Sequence, residues 1–459
     1  MKNVLLVGVF LSLAVFGYGQ EGNNADVNQE GDNHFALTDQ NGSGNTAVQT
    51  QMSKLHKAYI FQLGEGNFGM QMQDGNENYA HLYQNGVGNV AEQFQKGHLN
   101  DAWIYQDKYT GWGNPYPTLN LALQDQKGNG NYAIINQRKD GNDFGQEQHG
   151  KSNEAYADAY NSYNFSRQQQ NGEGNFSMVK LAGDWNEAFV NQKGESNYSY
   201  LRTINGQRNL FRVDQHGANN IANAIVAAGG EDNKAEIRQT GEGNRAGVNP
   251  YYSGDPGIYQ DGAFNEAYAV QDGHMNEVKV IQIGYRNKSD QFQTSSENYA
   301  WAKQLGGYNM SMQEQHGENN DAYVLQIGFG GSAVERRGEG NGNGNHGGNG
   351  EYNSAVQAQY GAENLAAIFQ MGYGNTAMQE QHGEGNMAGL IQLGGDNLAE
   401  QIQHGSNAAL GLQFGHANES LQMQEGNGNF SLHIQNGMGN SATSVQNGIS
   451  NVSHVFQSN

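Results

Sequence analysis

Polar and small apolar side chains alternate along this chain in short runs, and the same run returns about every 11 residues. The segment from Gln370 to Gln381 shows one unit, Q-M-G-Y-G-N-T-A-M-Q-E-Q. Alternate residues of a β-strand share one face. The face that begins at Asn375 therefore carries asparagine, Ala377, Gln379 and Gln381. The pattern predicts a seven-residue strand followed by a four-residue turn.

The unit is repeated along almost the whole sequence. The core N-x-A-x-x-x-Q describes 37 units over residues 23–457; asparagine opens 34 of them, with His34, His56 and Gly331 as exceptions, and glutamine closes 31. An 11-residue step also suits a right-handed helical supercoil. Each unit, however, contains glycines that break a helix and favour a tight turn, as in Q-N-G-S-G-N at 40–45. The repeat therefore predicts strands and turns.

The fourth residue after the opening asparagine shows that the true period is two units. It alternates between amide and aliphatic, as in Gln49, Ile60, Gln71 and Leu82. The closing glutamine is lost at Ala159, Leu181, Thr203, Val226 and Pro250, which all lie in aliphatic units of one region. Two unlike strands thus form one rung of 22 residues, and like strands stack about 4.8 Å apart. We predict an all-β, amyloid-like β-solenoid.

The inward amides of this solenoid are the candidate functional residues. A buried amide without partners costs about 1–3 kcal/mol, but in a register-matched stack each amide can donate to one copy of itself and accept from another. The predicted ladder residues are Asn364, Gln370, Asn375, Gln381, Asn386, Gln392, Asn397 and Gln403, together with Gln62, Gln73, Gln84 and Gln95. These residues are expected to have a structural role.

Three segments interrupt the repeat. Residues 107–119 and 249–259 hold all four prolines and are predicted to be loops that leave a corner of the solenoid, because proline cannot donate a ladder hydrogen bond. The glycine-rich segment 338–352 is predicted to fill one degenerate strand slot. Counting that slot gives about 19 rungs and a rod of roughly 90 Å.

The N-terminus has the features of a secretory signal. Lys2 is followed by an apolar run from Val4 to Phe16 and by the small residues of Gly17-Tyr-Gly19. We therefore predict a signal peptide over 1–19, with 20–459 as the mature solenoid. A membrane anchor is the alternative, but 13 apolar residues are short for a span. No other run is long enough to cross a bilayer, so an exported chain without a transmembrane segment is expected.

Composition excludes several classes of partner and site. The formal net charge of −22 disfavours nucleic acid as a partner, and the absence of cysteine excludes disulfides and thiolate metal sites. Repeats begin and end close to both termini without atypical capping units. Open strand edges of this kind template the addition of another chain. The chain is therefore expected to polymerise end to end with itself.

The spacing Q-x-G-x-G-N-x-A-x-x-x-Q closely resembles the curlin repeat of curli subunits, and Gln370 to Gln381 fits it at every motif position. The resemblance covers about residues 23–457. It implies a structural subunit of an extracellular amyloid fibre of bacterial biofilms that contributes to the matrix and to surface adhesion. It also implies export through the periplasm and an outer-membrane secretion pore, and assembly with a nucleator subunit.

Other functions remain as alternatives. A monomeric secreted β-solenoid adhesin or ice-binding protein has the same repeat logic, although ice binding favours a flat threonine array that the outward positions lack. An enzyme would need a carboxylate cluster that breaks the repeat, and none is evident; no cofactor or metal is expected. The histidines that follow a glutamine at the start of a turn are predicted to be solvated, although neighbours such as His382 and His404 can share a metal or sense pH. These turn histidines are His149, His216, His316, His382 and His404.

Overall fold

The computed structural model describes residues 22–107, 118–227, 229–247, 256–328 and 353–459. The predicted signal peptide at 1–19 lies outside these ranges, as do most of the two proline-containing inserts and all of 338–352. Every regular element in the described ranges is a β-strand. The all-β class predicted from the repeat is therefore confirmed.

The strand bounds follow the repeat. They are β1 (Asn24–Asp32), β2 (Phe35–Ser43), β3 (Thr46–Lys54), β4 (Lys57–Glu65), β5 (Phe68–Asn76), β6 (Tyr79–Val87), β7 (Val90–His98), β8 (Asp101–Gln106), β9 (Leu121–Asn129), β10 (Tyr132–Gln137), β11 (Asp143–Lys151), β12 (Glu154–Ala159), β13 (Phe165–Glu173), β14 (Phe176–Leu181), β15 (Glu187–Glu195), β16 (Tyr198–Thr203), β17 (Leu210–Ala218), β18 (Ile221–Val226), β19 (Lys234–Glu242), β20 (Arg245–Ala246), β21 (Ile258–Ala263), β22 (Glu266–His274), β23 (Glu277–Tyr285), β24 (Lys288–Ser296), β25 (Tyr299–Gly307), β26 (Met310–Glu318), β27 (Asp321–Gly328), β28 (Ser354–Ala362), β29 (Leu365–Tyr373), β30 (Thr376–Glu384), β31 (Met387–Gly395), β32 (Leu398–His416), β33 (Glu419–Met438), β34 (Ser441–Ile449) and β35 (Val452–Ser458).

Strands pair in parallel with the strand two places further along the chain, β1 with β3 and β2 with β4. A parallel β-solenoid of about 18 turns results. We call the two strands of one turn its first and second strand; β32 and β33 each supply both. Paired residues stand 22 apart in most of the stack, as Gln49 and Gln71 do. The offset is 31 across the first insert, where Gln93 pairs with Gln124, so the column of glutamines continues past it.

The core is a thin layer between the first and second strands. In β4 the inward residues Ala58, Ile60 and Gln62 are at most 2% exposed, while the outward residues of the same strand are partly exposed or exposed. Small alanines lie beside the asparagines, so the two strands of a turn can approach closely. The apolar part of the core is therefore narrow, and much of the interior is filled by amides.

Glycine is favoured where two turns of the chain stack. Gly64 has φ +116°, and a Cβ on it would lie 2.0 Å from the carbonyl oxygen of Gly86 in the next rung. Gly66 has φ +64° but has no heavy atom within 4 Å of such a Cβ. Leu55 and Glu77 occupy the place of Gly66 in other turns with φ near +56° and +55°. The two glycines of the motif thus have different physical roles.

The second insert was assigned to a corner, and this prediction is wrong. Ala222 pairs with Ala246 and Ala224 pairs with Ile258, so the insert leaves the middle of a second strand. An antiparallel bridge between Gly247 and Pro256 closes its base. The ladder of the sheet resumes behind the loop because the backbone on both sides keeps its register.

The predicted strand slot at 338–352 lies outside the described residues, but the strands on either side of it leave no room for a slot. β26 pairs directly with β28, and β27 pairs directly with β29. The prediction of about 19 rungs is therefore wrong by one. The chain leaves the stack after a second strand and re-enters at a first strand, so the order of strands is conserved.

Candidate functional site: the amide ladders

The closing glutamines form hydrogen-bonded columns along the rod. In the second strands, Nε2 of Gln62 donates to Oε1 of Gln84 at 2.8 Å, and Gln84 donates to Gln106 at 2.9 Å. In the first strands, Gln73 donates to Gln95 at 2.8 Å. These five amides are at most 2% exposed. Each glutamine therefore replaces water with a copy of itself.

The C-terminal columns have the same geometry. Gln370 donates to Gln392 at 2.8 Å in the second strands, and Gln381 donates to Gln403 at 3.0 Å in the first strands. The second N–H of Gln381 donates to the backbone oxygen of Leu365 at 3.0 Å. This backbone contact fixes which end of the amide is the donor. Every glutamine column consequently donates towards the C-terminal end of the rod.

The asparagine columns run in the opposite direction. Nδ2 of Asn386 donates to Oδ1 of Asn364 at 3.0 Å, and Nδ2 of Asn397 donates to Oδ1 of Asn375 at 2.9 Å. The same oxygen of Asn364 also accepts the backbone N–H of Asn386 at 3.0 Å. Asn364 in turn donates to the turn carbonyl of Gly383 at 3.0 Å. Asparagine thus joins the strand start of one rung to the turn of the next.

Two histidines take the place of asparagine near the N-terminus. The rings of His34 and His56 stack with centroids 5.2 Å apart. Nδ1 of His56 accepts the backbone N–H of Asn78 at 3.2 Å, which is the bond that an asparagine oxygen accepts elsewhere. Burial lowers the pKa of His56 from its usual value, so the neutral form that can accept this bond is favoured. The exceptions in the asparagine column therefore preserve its hydrogen bonding.

A third glutamine column was not among the predicted ladder residues. The fourth-position amides of the first strands stack directly, with Gln49 donating to Gln71 at 3.0 Å and Gln71 to Gln93 at 2.7 Å. The sequence shows that amide and aliphatic residues alternate at this inward position. The signal that would have placed them in the site is the same 22-residue spacing that identifies the closing glutamines.

The columns are interrupted in the middle of the rod. The second-strand column ends at Gln137, whose Nε2 donates to the backbone oxygens of Leu121 and Asn142 at 2.7 and 2.9 Å. It restarts at Gln260, which donates to Gln282 at 2.9 Å. Sequence reasoning missed Gln260 because the insert moves it out of phase; Pro250, assigned to this position, is outside the described residues.

The restart has an energetic consequence. Oε1 of Gln260 is buried without a hydrogen-bond partner, because Val226 lies in the preceding rung. Oε1 of Gln291 is also buried without a hydrogen-bond partner, because Ala269 lies in the preceding rung. A column can end without loss because its last N–H groups find backbone oxygens, whereas each of these two restarts leaves an acceptor unpaired and costs about 1–3 kcal/mol. The column that starts at Gln49 avoids this cost, because Oε1 of Gln49 accepts the hydroxyl of Thr38 at 3.0 Å.

The fourth position also departs from the predicted alternation in this region. First strands β15, β17, β19 and β22 carry Val190, Val213, Ile237 and Ala269 there, all at most 3% exposed. The second strands stay apolar as well, so the interior of these rungs is largely aliphatic. The rod therefore has a more aliphatic central section between two amide-rich sections.

Four of the turn histidines lie beside the carboxylate two residues earlier. His316 and His382 have Nε2 at 2.6 Å from Glu314 and Glu380 respectively, and the rings of His382 and His404 stack at 4.8 Å. The side chain of His382 is 36% exposed. These histidines lie on the surface of the rod, away from the ladders.

One group of side chains has a spacing that suits a metal ion. Asp125, Glu147 and His149 each place a ligand atom within 4.8 Å of the others. Lys127 lies in the same place, with Nζ 2.7 Å from Oδ2 of Asp125 and 3.5 Å from Nε2 of His149. The lysine ammonium thus already supplies a cation here. The expected absence of metals and cofactors stays a prediction.

The terminal rungs differ from the interior in exposure. Val27 of β1 is 47% exposed, although Gln49, its partner in the next rung, is fully buried. At the other end Phe456 of β35 is 63% exposed. Within the described ranges β1 pairs only with β3, and β35 pairs only with β33. Each end thus presents an open strand edge.

Comparison with known protein families identifies a known repeat in this chain. Among the described residues, no helix has the length and apolarity needed to cross a membrane. A search of curated proteins finds no match. The family model of the curlin associated repeat matches residues 257–284 and 361–394, which lie within two stretches of the laddered solenoid. The resemblance inferred from the motif is thereby confirmed: this chain carries the curlin associated repeat at two places.

Proposed function

We propose that the chain is a structural subunit, not an enzyme, of an extracellular curli-like amyloid fibre that contributes to biofilm matrix and surface adhesion. The curlin associated repeat and the parallel solenoid support a subunit of this type. Its strands and side-chain columns repeat along one axis, so an added copy can continue the same bonds. The fibre grows end to end through the terminal rungs.

The observation that carries the proposal is the state of the ladder at its two ends. Interior Gln424 donates to the backbone of Ala408 and to Gln446, whereas Gln446 in the terminal rung donates only to the backbone of Phe430. At the other end Gln29 donates to Gln51 at 2.6 Å. Among the described residues, no donor reaches its oxygen. A donor at one end and an acceptor at the other are complementary.

The register of the stack defines how two copies would meet. β34 continues the first strands of the rod, and β1 begins them. Placing β1 of one copy on β34 of another sets Gln29 over Gln446 and Ala25 over Ala442. In the glutamine columns, two identical ends would oppose donor to donor or acceptor to acceptor. Growth is therefore expected to be head to tail, with one polarity.

The remaining parts of the proposal follow from the resemblance to curli subunits. The chain would be exported, cross the outer membrane through a secretion pore and assemble at the cell surface on a nucleator subunit. The formal net charge of −22 disfavours nucleic acid as a partner. A monomeric adhesin with the same solenoid is the competing function.

Assembly of the purified chain without residues 1–19 tests the proposal. We expect thioflavin-binding fibres whose X-ray diffraction shows reflections near 4.8 and about 10 Å, and we expect preformed fibres to shorten the lag phase. A chain that stays monomeric in sedimentation at high concentration, with the circular dichroism of a folded β-sheet protein, contradicts the proposal and favours the adhesin.

A pair of variants in β34 tests the end-to-end contact. Gln446→Glu replaces the donating amide with a carboxylate that would face the oxygen of Gln29, so we expect seeded elongation to slow by more than about tenfold. Val445→Glu adds the same charge at an outward position that is 68% exposed, and elongation should change less than about threefold. Equal slowing by both variants would mean that charge alone, rather than the ladder end, limits growth.

A further inference from the structure

The outward side of the second strands is apolar in the C-terminal part of the rod. We use the name apolar face for the first, third and fifth residues of the segments 365–369, 387–391, 408–412, 430–434 and 452–456. Leucine, isoleucine, phenylalanine, methionine, valine, alanine and glycine occupy all of these positions except that of His454. None of them is Asp, Glu, Lys or Arg. The five segments are adjacent rungs, so their side chains form one continuous surface.

The opposite side of the same rungs is different. Residues 353–459 contain seven acidic side chains and no Lys or Arg. Glu380, Glu400 and Glu419 point outward from the first strands, and the other four follow the strands in the turns. These carboxylates oppose the close approach of two copies through the other sides, whereas the apolar face carries no charge.

The apolar face is exposed to solvent and contains a depression. Met387 is 55% exposed and Val452 is 66% exposed. The small residues Ala367, Gly389 and Ala408 line an open depression of about 270 Å³. Contiguous exposed apolar surface of this kind marks interaction sites. A partner must offer apolar side chains, because the face has almost no polar group that could orient a polar ligand.

The area of the face sets the strength of the contact. Five rungs at about 4.8 Å and five strand residues at about 3.3 Å span roughly 400 Å² per copy. A stable complex usually buries about 800 Å² per partner, so two single rods would associate weakly. In a filament the face recurs once in every chain, and many such contacts act together.

We propose that the apolar face binds the same face of a second copy, so that rods pair side by side. The second copy fits because both surfaces are uncharged and apolar and share one rung spacing, which lets side chains of one enter the depression of the other over the whole contact. The strength of pairing rests on the proposed fibre function, because only a filament supplies many faces. The contact itself is perpendicular to the end-to-end contact and uses different residues.

Cysteine crosslinking tests the geometry, since the chain has no cysteine of its own. Leu432 and Leu421 are the third residues of the second and first strands of one rung, and both are half-buried. We expect Leu432→Cys to give chain dimers with a bismaleimide about 10 Å long, the spacing of packed sheets. The matched control Leu421→Cys should give at least about tenfold fewer dimers. Neighbours along one filament are a whole rod apart and cannot be linked by this reagent.

Charged variants test the energetics by cryo-electron microscopy of filaments. Leu432→Lys would bury an unpaired charge, so paired filaments should become more than about tenfold rarer than with Leu421→Lys. Seeded elongation should be equal in the two variants, and equal circular dichroism would show that both fold. This separates a failure of pairing from a failure of fibre growth.

These experiments test the pairing whether the chain forms filaments or stays as soluble rods. Filaments that stay single, or dimers that form equally at both cysteines, overturn it and leave the proposed function intact. If the chain does not polymerise, the same crosslinking at high concentration of soluble rods decides; absence of dimers specific to Leu432→Cys overturns the pairing. That result would also fit a face covered by residues 329–352 of the same chain.

Discussion

At the scale of the residue, the stack works because a carboxamide can donate and accept along one axis. Gln381 accepts from Gln359 at 2.9 Å, donates to Gln403 at 3.0 Å and has a second N–H on a backbone oxygen. Serine, valine or alanine cannot reproduce this set. A hydroxyl can cap a column, as Ser177 accepts from Gln168 at 2.8 Å, but it does not continue it. The chemistry of the amide therefore explains why glutamine recurs at one position.

Replacement of a ladder member tests this account. Gln381→Ala leaves the oxygen of Gln403 and the backbone oxygen of Leu365 without their partner and opens a cavity, although Nε2 of Gln359 keeps the backbone oxygens of Asp321 and Asn364. The free energy of unfolding should therefore fall by about 2–4 kcal/mol. Glu380→Ala removes a neighbouring outward carboxylate and should change it by less than about 1 kcal/mol. Urea unfolding of the unpolymerised chain measures both; similar losses would argue against the ladder as the source of stability.

His433 is the one histidine that occupies the fourth position, and it is fully buried. Its Nδ1 lies 2.8 Å from Oγ of Ser420 and its Nε2 lies 3.0 Å from Oγ of Ser444. Burial lowers the pKa of His433 to about 4. The surrounding hydroxyls can accept or donate, so they hold the neutral ring without an ionised partner.

The depressed pKa predicts a pH dependence of the last rungs. As pH falls from about 6.5 to about 4, the unfolded chain binds a proton that the folded chain does not, so stability should fall by up to about 1.4 kcal/mol per pH unit and then level off. Hydrogen exchange of the amides of 430–446 measures it. His433→Val should remove this dependence, and the exposed control His454→Val should keep it; an unchanged slope in His433→Val would refute the assignment.

At the scale of the element, each unit is a strand closed by a turn that must stack on its own copy. The first glycine of the turn has its Cα directly below a backbone carbonyl, as Gly75 has below Gly97, where a Cβ would lie 2.1 Å from the oxygen. Ser53 and Ser295 occupy this column with φ of +90° and +78°. The second glycine needs only a left-handed backbone, which Leu99 and Ser152 also adopt. The first position favours glycine because the turns stack closely, and the second favours glycine only because its backbone is left-handed.

Alanine at the two glycines of one turn separates these effects. Gly66→Ala should cost about 1–2 kcal/mol, the penalty of a left-handed residue. Gly64→Ala should cost more than about twice as much, because its Cβ would overlap the carbonyl of Gly86 and the rungs must separate. Thermal melting of the two variants, each compared with the unsubstituted chain, gives the difference. Equal losses would show that backbone conformation, not stacking, governs both.

At the scale of the whole molecule, about 18 turns form a rod of roughly 86 Å. We propose one contact at its ends and another along its apolar face. Its ends differ chemically because every glutamine column donates towards the C-terminal end, which leaves a glutamine donor at that end and a glutamine acceptor at the other. Its C-terminal section carries three outward glutamates on the first strands and none on the apolar face of the second strands. The aliphatic central section interrupts two amide columns, while the closing glutamines of the first strands continue through it from Gln148 to Gln293, together with the asparagines and the backbone. The end-to-end contact and the contact through the apolar face use different residues, so a substitution can change one without the other.

The sequence by itself determined the strand, the turn and the positions of the inward amides. A strict spacing of Asn, Ala and Gln can satisfy buried amides only if identical residues lie above one another, so Gln62 and Gln84 could be paired without a structure. The family resemblance followed from the same spacing. The outward second faces were also readable in principle, because alternation assigns Leu410 and Leu432 to the outside of one column.

Only the tertiary structure decided where the chain leaves and re-enters the stack. Residues 249–259 look like a corner loop, yet the sheet keeps Ala246 and Ile258 in one strand and restores the column with Gln260. Likewise β26 meets β28 directly, and nothing local in 338–352 indicates that no slot is filled. Register across an insert is set by pairing with the neighbouring rung, which is a contact between distant residues. The direction of the ladders also depends on such contacts, because a backbone oxygen of the facing strand fixes each amide.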